Sequence, residues 1–187
     1  MKKMLYILKK LEKIKTAHMK NIIFIHGLES SGQGVKGTLL KKIFPEILTP
    51  DFKKFSPEIS YQALLSARMT QLKSILEGKI PWILIGSSFG GLMGALYACK
   101  YPERVSYLIL LAPALLSPEL NPKKFNPISV PVTVFHGRND SVIPLELTRK
   151  RAEKLFTNLE YHAVDDDHML HDTVHNIDWL SLIKSHI

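Results

Sequence analysis

Gly86-Ser87-Ser88-Phe89-Gly90 lies between an apolar run, Pro81–Ile85, and a run of small and apolar residues, Gly91–Ala98. The first run has the length of a buried strand, and the second is typical of a tightly packed helix. A Gly-x-Ser-x-Gly motif between a strand and a helix predicts a nucleophile elbow, in which a sharp turn holds the serine hydroxyl clear of the sheet. Such a turn requires small neighbours, and the glycine at each end of the motif meets that requirement. Because the motif alone is common in ordinary turns, the prediction depends on its flanks.

The rest of the chain alternates between short apolar strands and helical patterns. Strands are predicted at Asn21–His26, Trp82–Ile85, Val105–Leu111, Val132–His136 and Leu159–Val164, with a weaker candidate at Glu46–Thr49. Helices are predicted near 36–44, at 57–77, directly after the elbow, at 144–156 and at 171–186. Alternation of this kind is typical of one α/β domain with a parallel sheet and helices on both faces. Ligands of such sheets bind beyond the carboxyl ends of the strands, where the polar candidates of this chain also lie.

The formal net charge of +8 comes mostly from residues 1–20, which hold seven lysines and one glutamate and leave +2 for the remainder. The basicity therefore gives no indication of a nucleic-acid-binding face. We interpret residues 1–20 as a basic N-terminal extension, disordered or produced by a start codon assigned too far upstream, and residues 21–187 as the domain. Apolar residues at helical spacing would allow this extension a weak contact with an acidic membrane surface. No apolar run in the chain has the length of a signal-peptide core or a transmembrane helix, so stable membrane insertion is not expected.

Cys99 is the only cysteine, so an intrachain disulfide is impossible and a cytoplasmic location is predicted. The residue falls in the helix predicted after the elbow. A buried structural thiol is the usual state of a cysteine in such a place. We therefore predict that Cys99 is not the nucleophile.

A serine hydroxyl becomes an effective nucleophile when a base removes its proton and a third group orients that base. The candidate base is His168, which follows the last predicted strand, and the candidate acid is Asp140, which follows the strand before it. Ser88, Asp140 and His168 occur in the chain order expected for this sheet architecture. Other roles remain open for both: Asp140 as an ordinary turn residue, and His168 as the first residue of a helix. The carboxylates of 165–167 are rival acids, although their position beside the base predicts that they cap the next turn.

Acyl chemistry at a serine also requires two N–H donors for the negatively charged carbonyl oxygen of the intermediate. The amide of Phe89, directly after Ser88, is the first candidate. The amide of Leu28 is the second, because His26-Gly27-Leu28 follows the first predicted strand. We predict that His26 holds this loop in place.

Together these segments resemble the α/β-hydrolases, and in particular small cap-less bacterial serine esterases of the YqiA type. The matching pieces are His26–Ser31, Gly86–Gly91, Gly137–Asp140, Ile143-Pro144 and Asp167-His168. The resemblance implies an α/β-hydrolase sheet reduced to about six strands, and hydrolysis of carboxylic esters or thioesters through an acyl-enzyme. It also implies a small-molecule substrate and neither a metal nor an organic cofactor. The absence of a cap predicts an open site for short acyl groups, with the proline-rich segment 113–129 forming at most a small partial lid.

Four other interpretations of these residues arise from the sequence. His168, His171 and His175 would share one face if a single helix spanned them, which would favour a metal site. A phosphate-binding loop at Gly27–Thr38 is disfavoured, because Gln33 stands where the motif requires lysine. A hydrolase scaffold can also serve a binding protein without catalysis, or an acyltransferase that uses the same residues.

Overall fold

The computed structural model describes residues 21–78 and 81–184. The five strands of this part of the chain are β1 (Ile22–Ile25), β2 (Trp82–Ser87), β3 (Val105–Leu111), β4 (Val132–Gly137) and β5 (Leu159–Val164). Its α-helices are α1 (Val35–Ile43), α2 (Tyr61–Ile75), α3 (Phe89–Lys100), α4 (Leu145–Leu155), α5 (His171–Asn176) and α6 (Trp179–Lys184). None of these helices is long and apolar enough to cross a membrane. The predicted N-terminal extension, residues 1–20, lies outside the described residues.

The strands form one parallel sheet in the order β1-β2-β3-β4-β5, which confirms the predicted fold class. Because successive side chains point to opposite faces of a sheet, each strand supplies two hydrophobic cores. In β1, Ile23 and Ile25 pack in the core formed with α2, α3 and α4, whereas Ile22 and Phe24 pack in the core formed with α1, α5 and α6. Burial of both faces explains why these strands read as continuous apolar runs.

The weaker strand candidate, Glu46–Thr49, forms a single bridge rather than a full strand. Leu48 pairs with Ile23 in parallel, and its main chain exchanges hydrogen bonds of 2.8 and 2.9 Å with Phe24 and Ile22. This contact covers part of the outer edge of β1. The sheet therefore has five strands and this bridge at its β1 edge, close to the expected number.

Two predicted helices differ from the observed ones for local reasons. Helix α2 begins at Tyr61 rather than at Pro57, because the Ser60 hydroxyl accepts a hydrogen bond from the Ala63 amide and caps the helix there. The predicted C-terminal helix is divided into α5 and α6, because Ile177 is extended with ψ of 128°. The predicted end of that helix, beyond Lys184, lies outside the described residues.

The proline-rich segment 113–129 is anchored in the core rather than forming a separate cover. Leu115 and Leu120 are fully buried in the cluster that includes α2, α3 and α4. The Arg151 guanidinium of α4 donates a hydrogen bond of 2.9 Å to the Leu120 carbonyl. These contacts fix the segment against the domain.

Candidate active site

Ser88 occupies the turn between β2 and α3 with a backbone φ of 52° and ψ of −114°. A positive φ is unusual for a residue with a side chain, and the surrounding hydrogen bonds hold this one in place. The Ser88 amide donates to the Leu111 carbonyl at 2.9 Å, and the Ser88 carbonyl accepts from the amides of Leu92 and Ala114, each at 3.1 Å. The turn is therefore fixed by β3 and by the segment that follows it, as well as by its own helix.

The glycines at both ends of the motif permit close backbone contacts that no side chain would allow. A Cβ atom added to Gly86 would lie 2.6 Å from the Gly90 carbonyl oxygen, and one added to Gly90 would lie 2.0 Å from the Ile25 carbonyl oxygen. Distances this short exclude any other residue without a shift of the main chain. The first turn of α3 thus packs directly against the carboxyl end of β1.

The structure brings Ser88, His168 and Asp140 into one hydrogen-bonded line. The Ser88 hydroxyl lies 3.1 Å from His168 Nε2, and His168 Nδ1 lies 2.8 Å from Asp140 Oδ2. Because Asp140 Oδ2 is an acceptor, Nδ1 carries the proton in this arrangement and Nε2 accepts from the serine. Asp140 lies on the loop after β4 and His168 on the loop after β5, so the parallel sheet delivers both to the edge where Ser88 lies.

The Asp140 carboxylate is fully buried and surrounded by hydrogen-bond donors. Its Oδ1 accepts from the amides of Val142 and Ile143, both at 2.8 Å. Burial alone would raise the pKa of Asp140, but the hydrogen bonds from Ile143, His168 and Val142 outweigh it and lower the pKa below its ordinary value. The group is therefore an anion throughout the range in which a histidine base works.

A second histidine, His136, contacts the same carboxylate, and the sequence did not single it out. The His136 side chain is fully buried, with Nε2 3.1 Å from Asp140 Oδ2 and 3.0 Å from the Ile143 carbonyl oxygen. Both neighbours are acceptors, so Nε2 carries the proton and Nδ1 accepts from the Tyr161 hydroxyl at 2.7 Å. Burial lowers the pKa of His136, which favours the neutral ring. Its position at the end of β4, shortly before the candidate acid, was the available signal.

The rival carboxylates of 165–167 have other partners. Asp165 accepts from the Asn139 side chain at 3.3 Å, and Asp167 accepts from the Met169 amide at 2.7 Å. Asp166 accepts from both the amide and the hydroxyl of Thr173, in the first turn of α5. In the structure it is Asp140 that contacts the His168 ring.

The alternative metal site is not assembled in the structure. Helix α5 begins only at His171, and both ring nitrogens of His168 already contact Ser88 and Asp140. His175 Nδ1 lies 2.7 Å from the His171 carbonyl oxygen, on their own helix. Among residues 21–78 and 81–184, no three His, Cys, Asp or Glu side chains are grouped as metal ligands.

Burial raises the pKa of Cys99 to about 12, so that thiol is a poor nucleophile.

The loop after β1 lies directly beside the elbow. A Cβ atom added to Gly27 would be 3.7 Å from the Ser88 Cβ atom. His26 is buried and holds this loop, because its Nδ1 lies 2.8 Å from the Gly27 carbonyl oxygen and its Nε2 accepts from the Phe52 amide at 3.1 Å. The Leu28 amide therefore belongs to a fixed loop at the same edge of the sheet as the Phe89 amide.

Comparison with known proteins adds a family assignment to this geometry. The model of the phospholipase/carboxylesterase family matches residues 49–187, about three quarters of the chain. The chain belongs to this family. As a member of the phospholipase/carboxylesterase family, it is a hydrolase with the α/β-hydrolase fold, which confirms the superfamily expected from the motifs. The matched segment contains Ser88, Asp140 and His168 and begins after Leu28.

Solved structures share the fold of this phospholipase/carboxylesterase family member at low sequence identity. The α/β-hydrolase domain-containing protein 10 from mouse is 20% identical, with a TM-score of 0.68 and 89% of each chain covered. A protein described as a hydrolase of the α/β superfamily from Xanthomonas campestris is 24% identical, with a TM-score of 0.68, 88% of this chain covered and 97% of that one. The esterase PE8 is 18% identical, with a TM-score of 0.65, and the match covers 89% of this chain and 92% of that chain. The narrower resemblance to esterases of the YqiA type stays a prediction.

Proposed function

We propose that the protein is a serine esterase or thioesterase that cleaves small acyl substrates through an acyl-enzyme. The observation that carries the proposal is the hydrogen-bonded line from Ser88 through His168 to Asp140. In the first half-reaction, the Ser88 oxygen bonds to the acyl carbon while its proton moves to His168 Nε2. His168 then protonates the departing alcohol or thiol as its bond to the acyl carbon breaks. Asp140 stays ionised and stabilises the imidazolium between these steps.

Water completes the cycle with the same residues. His168 Nε2 takes a proton from water as the water oxygen bonds to the acyl carbon of the acyl-serine. Collapse of the second tetrahedral intermediate returns that proton to Ser88 and releases the carboxylic acid. In both halves the amides of Leu28 and Phe89 donate to the carbonyl oxygen when it carries negative charge.

A fluorophosphonate probe tests the activated serine directly. We expect one covalent adduct per chain, located by peptide mapping on Ser88, because the probe reacts with a serine whose proton is removed by a base. Ser87→Ala is the matched control on the same peptide and should still be labelled, whereas Ser88→Ala should not. A folded protein that forms no adduct would contradict the proposal and favour a binding function on this scaffold.

Short acyl groups are the proposed substrates, because the surroundings of the site offer a shallow apolar rim rather than a cover. Val142 and Met169, which neighbour the acid and the base in the chain, are each 61% exposed. The segment 113–129 is anchored in the core by Leu115 and Leu120. Long acyl chains gain affinity from enclosed apolar sites, and an open rim buries few methylene groups.

We expect kcat/KM for p-nitrophenyl acetate or butyrate to exceed that for the decanoate by about tenfold or more. The reason is that an open rim buries little of each further methylene group, so each one contributes little binding free energy. The measurement is a chain-length series of p-nitrophenyl esters at concentrations below aggregation of the substrate. Ser88→Ala supplies the background rate for each ester. A clear preference for the decanoate would refute the short-chain assignment and leave the serine mechanism intact.

A further inference from the structure

Arg68, in the middle of α2, is a fully buried arginine directed at main-chain carbonyls. Its Nε donates to the Lys53 carbonyl at 2.7 Å, Nη1 to the Gly27 carbonyl at 3.2 Å and Nη2 to the Leu28 carbonyl at 2.8 Å. Among the described residues no acidic side chain lies within salt-bridge distance of it. Burial lowers the pKa of Arg68, as expected for a desolvated cation without a carboxylate partner. Two of its three acceptors belong to the loop beside Ser88.

The contact with the Gly27 carbonyl decides where the Leu28 amide points. These two groups belong to one peptide unit, and in a planar trans peptide the C=O and N–H bonds face opposite directions. Arg68 Nη1 and His26 Nδ1 both hold the Gly27 oxygen on one side of the loop. The Leu28 N–H is consequently presented on the other side. If this peptide rotated, it would place a carbonyl oxygen where the intermediate needs a donor.

The same guanidinium also contacts the residue that offers the other donor. The Arg68 Cζ atom lies 5.3 Å from the centroid of the Phe89 ring, in a cation–π arrangement. The Phe89 ring is buried, and Tyr61 packs edge-on against it at 5.4 Å. One buried cation thus contacts both residues whose amides are proposed to bind the oxyanion.

We infer that Arg68 is a positioning residue for the oxyanion hole. It holds the Gly27–Leu28 peptide in the orientation that presents the Leu28 N–H, and it fixes Phe89 beside it. Its positive charge also stabilises negative charge that develops nearby, because no acidic side chain of the described residues forms a salt bridge with it. This inference rests on the proposed serine mechanism and assigns a role to a residue that touches no substrate.

The test uses Arg68→Met, which keeps the volume, and Arg68→Lys, which keeps the charge but cannot reach both loop carbonyls. With p-nitrophenyl acetate we expect Arg68→Met to lower kcat about a hundredfold and Arg68→Lys at least about tenfold, with KM changed less than about threefold. The matched control is Arg104→Met, which removes a guanidinium bond of 3.1 Å to the Leu76 carbonyl. That bond lies near the amino ends of β2 and β3, so kcat should stay within about twofold of wild type in this variant.

A spectroscopic readout separates positioning from general stability. The probe is a short trifluoromethyl ketone labelled with carbon-13 at its carbonyl. The Ser88 hydroxyl oxygen adds to this carbonyl carbon and forms a hemiketal, whose oxyanion occupies the proposed oxyanion hole. The pKa of that hemiketal, followed by NMR, should be higher in Arg68→Met than in wild type and unchanged in Arg104→Met, because a misdirected donor stabilises the oxyanion less.

Each outcome decides the inference. Folded Arg68 variants with wild-type kcat and an unchanged hemiketal pKa would overturn it, and so would the unfolding of both variants when Arg104→Met stays folded, since Arg68 would then be structural only. Failure of the serine mechanism itself would be distinguished by a wild-type protein that does not cleave the ester, or by a Ser88→Ala variant that keeps the wild-type activity.

Discussion

Ser88→Ala is expected to lower kcat for p-nitrophenyl acetate by roughly 10⁵-fold while the protein stays folded. The substitution removes the oxygen that would bond to the acyl carbon, and His168 loses the proton donor 3.1 Å from its Nε2. Binding and the oxyanion amides remain, so a small rate above that in water should persist. Alanine meets the same positive φ as serine, so the melting temperature should change little. The measurement is kcat at saturating ester, together with a thermal melt.

Ser87→Ala is the control for local disturbance of the elbow, since Ser87 ends β2 and has no proposed catalytic contact. It should keep kcat within about threefold of wild type, as expected for a change outside the catalytic contacts. If folded Ser88→Ala kept more than about 1% of the wild-type kcat, Ser88 would not be the nucleophile.

Asp140→Asn is expected to lower kcat by about 10⁴-fold. The carboxylate accepts from two amides through Oδ1 and from His168 through Oδ2, with the His136 N–H 3.1 Å away from Oδ2. An asparagine has one acceptor oxygen, so its amide nitrogen must face donors whichever way it is turned. In one orientation His168 is driven to the tautomer that carries its proton on Nε2. In the other, the hydrogen bonds from the two backbone amides of the turn after β4 are lost. The measurement is kcat across pH, with NMR of the imidazole N–H protons to identify the tautomer.

Asp165→Asn is the matched control, because the hydrogen bond found for its side chain among the described residues comes from the Asn139 side chain at 3.3 Å, away from His168. We expect its kcat to stay within about twofold of wild type, the range of surface changes remote from the reacting groups. Retention of more than about a tenth of the activity in Asp140→Asn, with loss in Asp165→Asn, would move the acid role to the 165–167 segment.

The features that were predictable from the sequence are those that local patterns encode. The bounds of β3 and β5 were predicted as observed, because a short apolar or β-branched run between turn residues has few other structures available. The elbow was equally accessible, since its motif and its flanking strand and helix are contiguous in the sequence, although the contact of Gly90 with the Ile25 carbonyl of β1 was not. The order of Ser88, Asp140 and His168 along the chain then places them at one edge of a parallel sheet.

Arg68 and His136 were not predicted because their roles depend on contacts between distant segments. An arginine in an amphipathic helix normally indicates a solvated face, and only the packing of α2 beneath the loop after β1 buries this one. His136 reads as the last residue of a strand, and its role appears when Asp140 folds back against it and Tyr161 comes from β5. The predicted start of α2, at Pro57, was wrong because the apolar pattern continues upstream of Ser60, whereas the Ser60 side chain caps the helix and makes it begin at Tyr61.

The backbone of Ser88 has a consequence for anyone who engineers this protein. A residue with a side chain held at a φ of 52° stores conformational energy, of order 1–3 kcal/mol, that glycine would release. At this one position, selection for heat resistance and selection for turnover therefore favour different amino acids. A library screened only for survival at high temperature would enrich inactive proteins, so each round of such a screen must also measure ester cleavage.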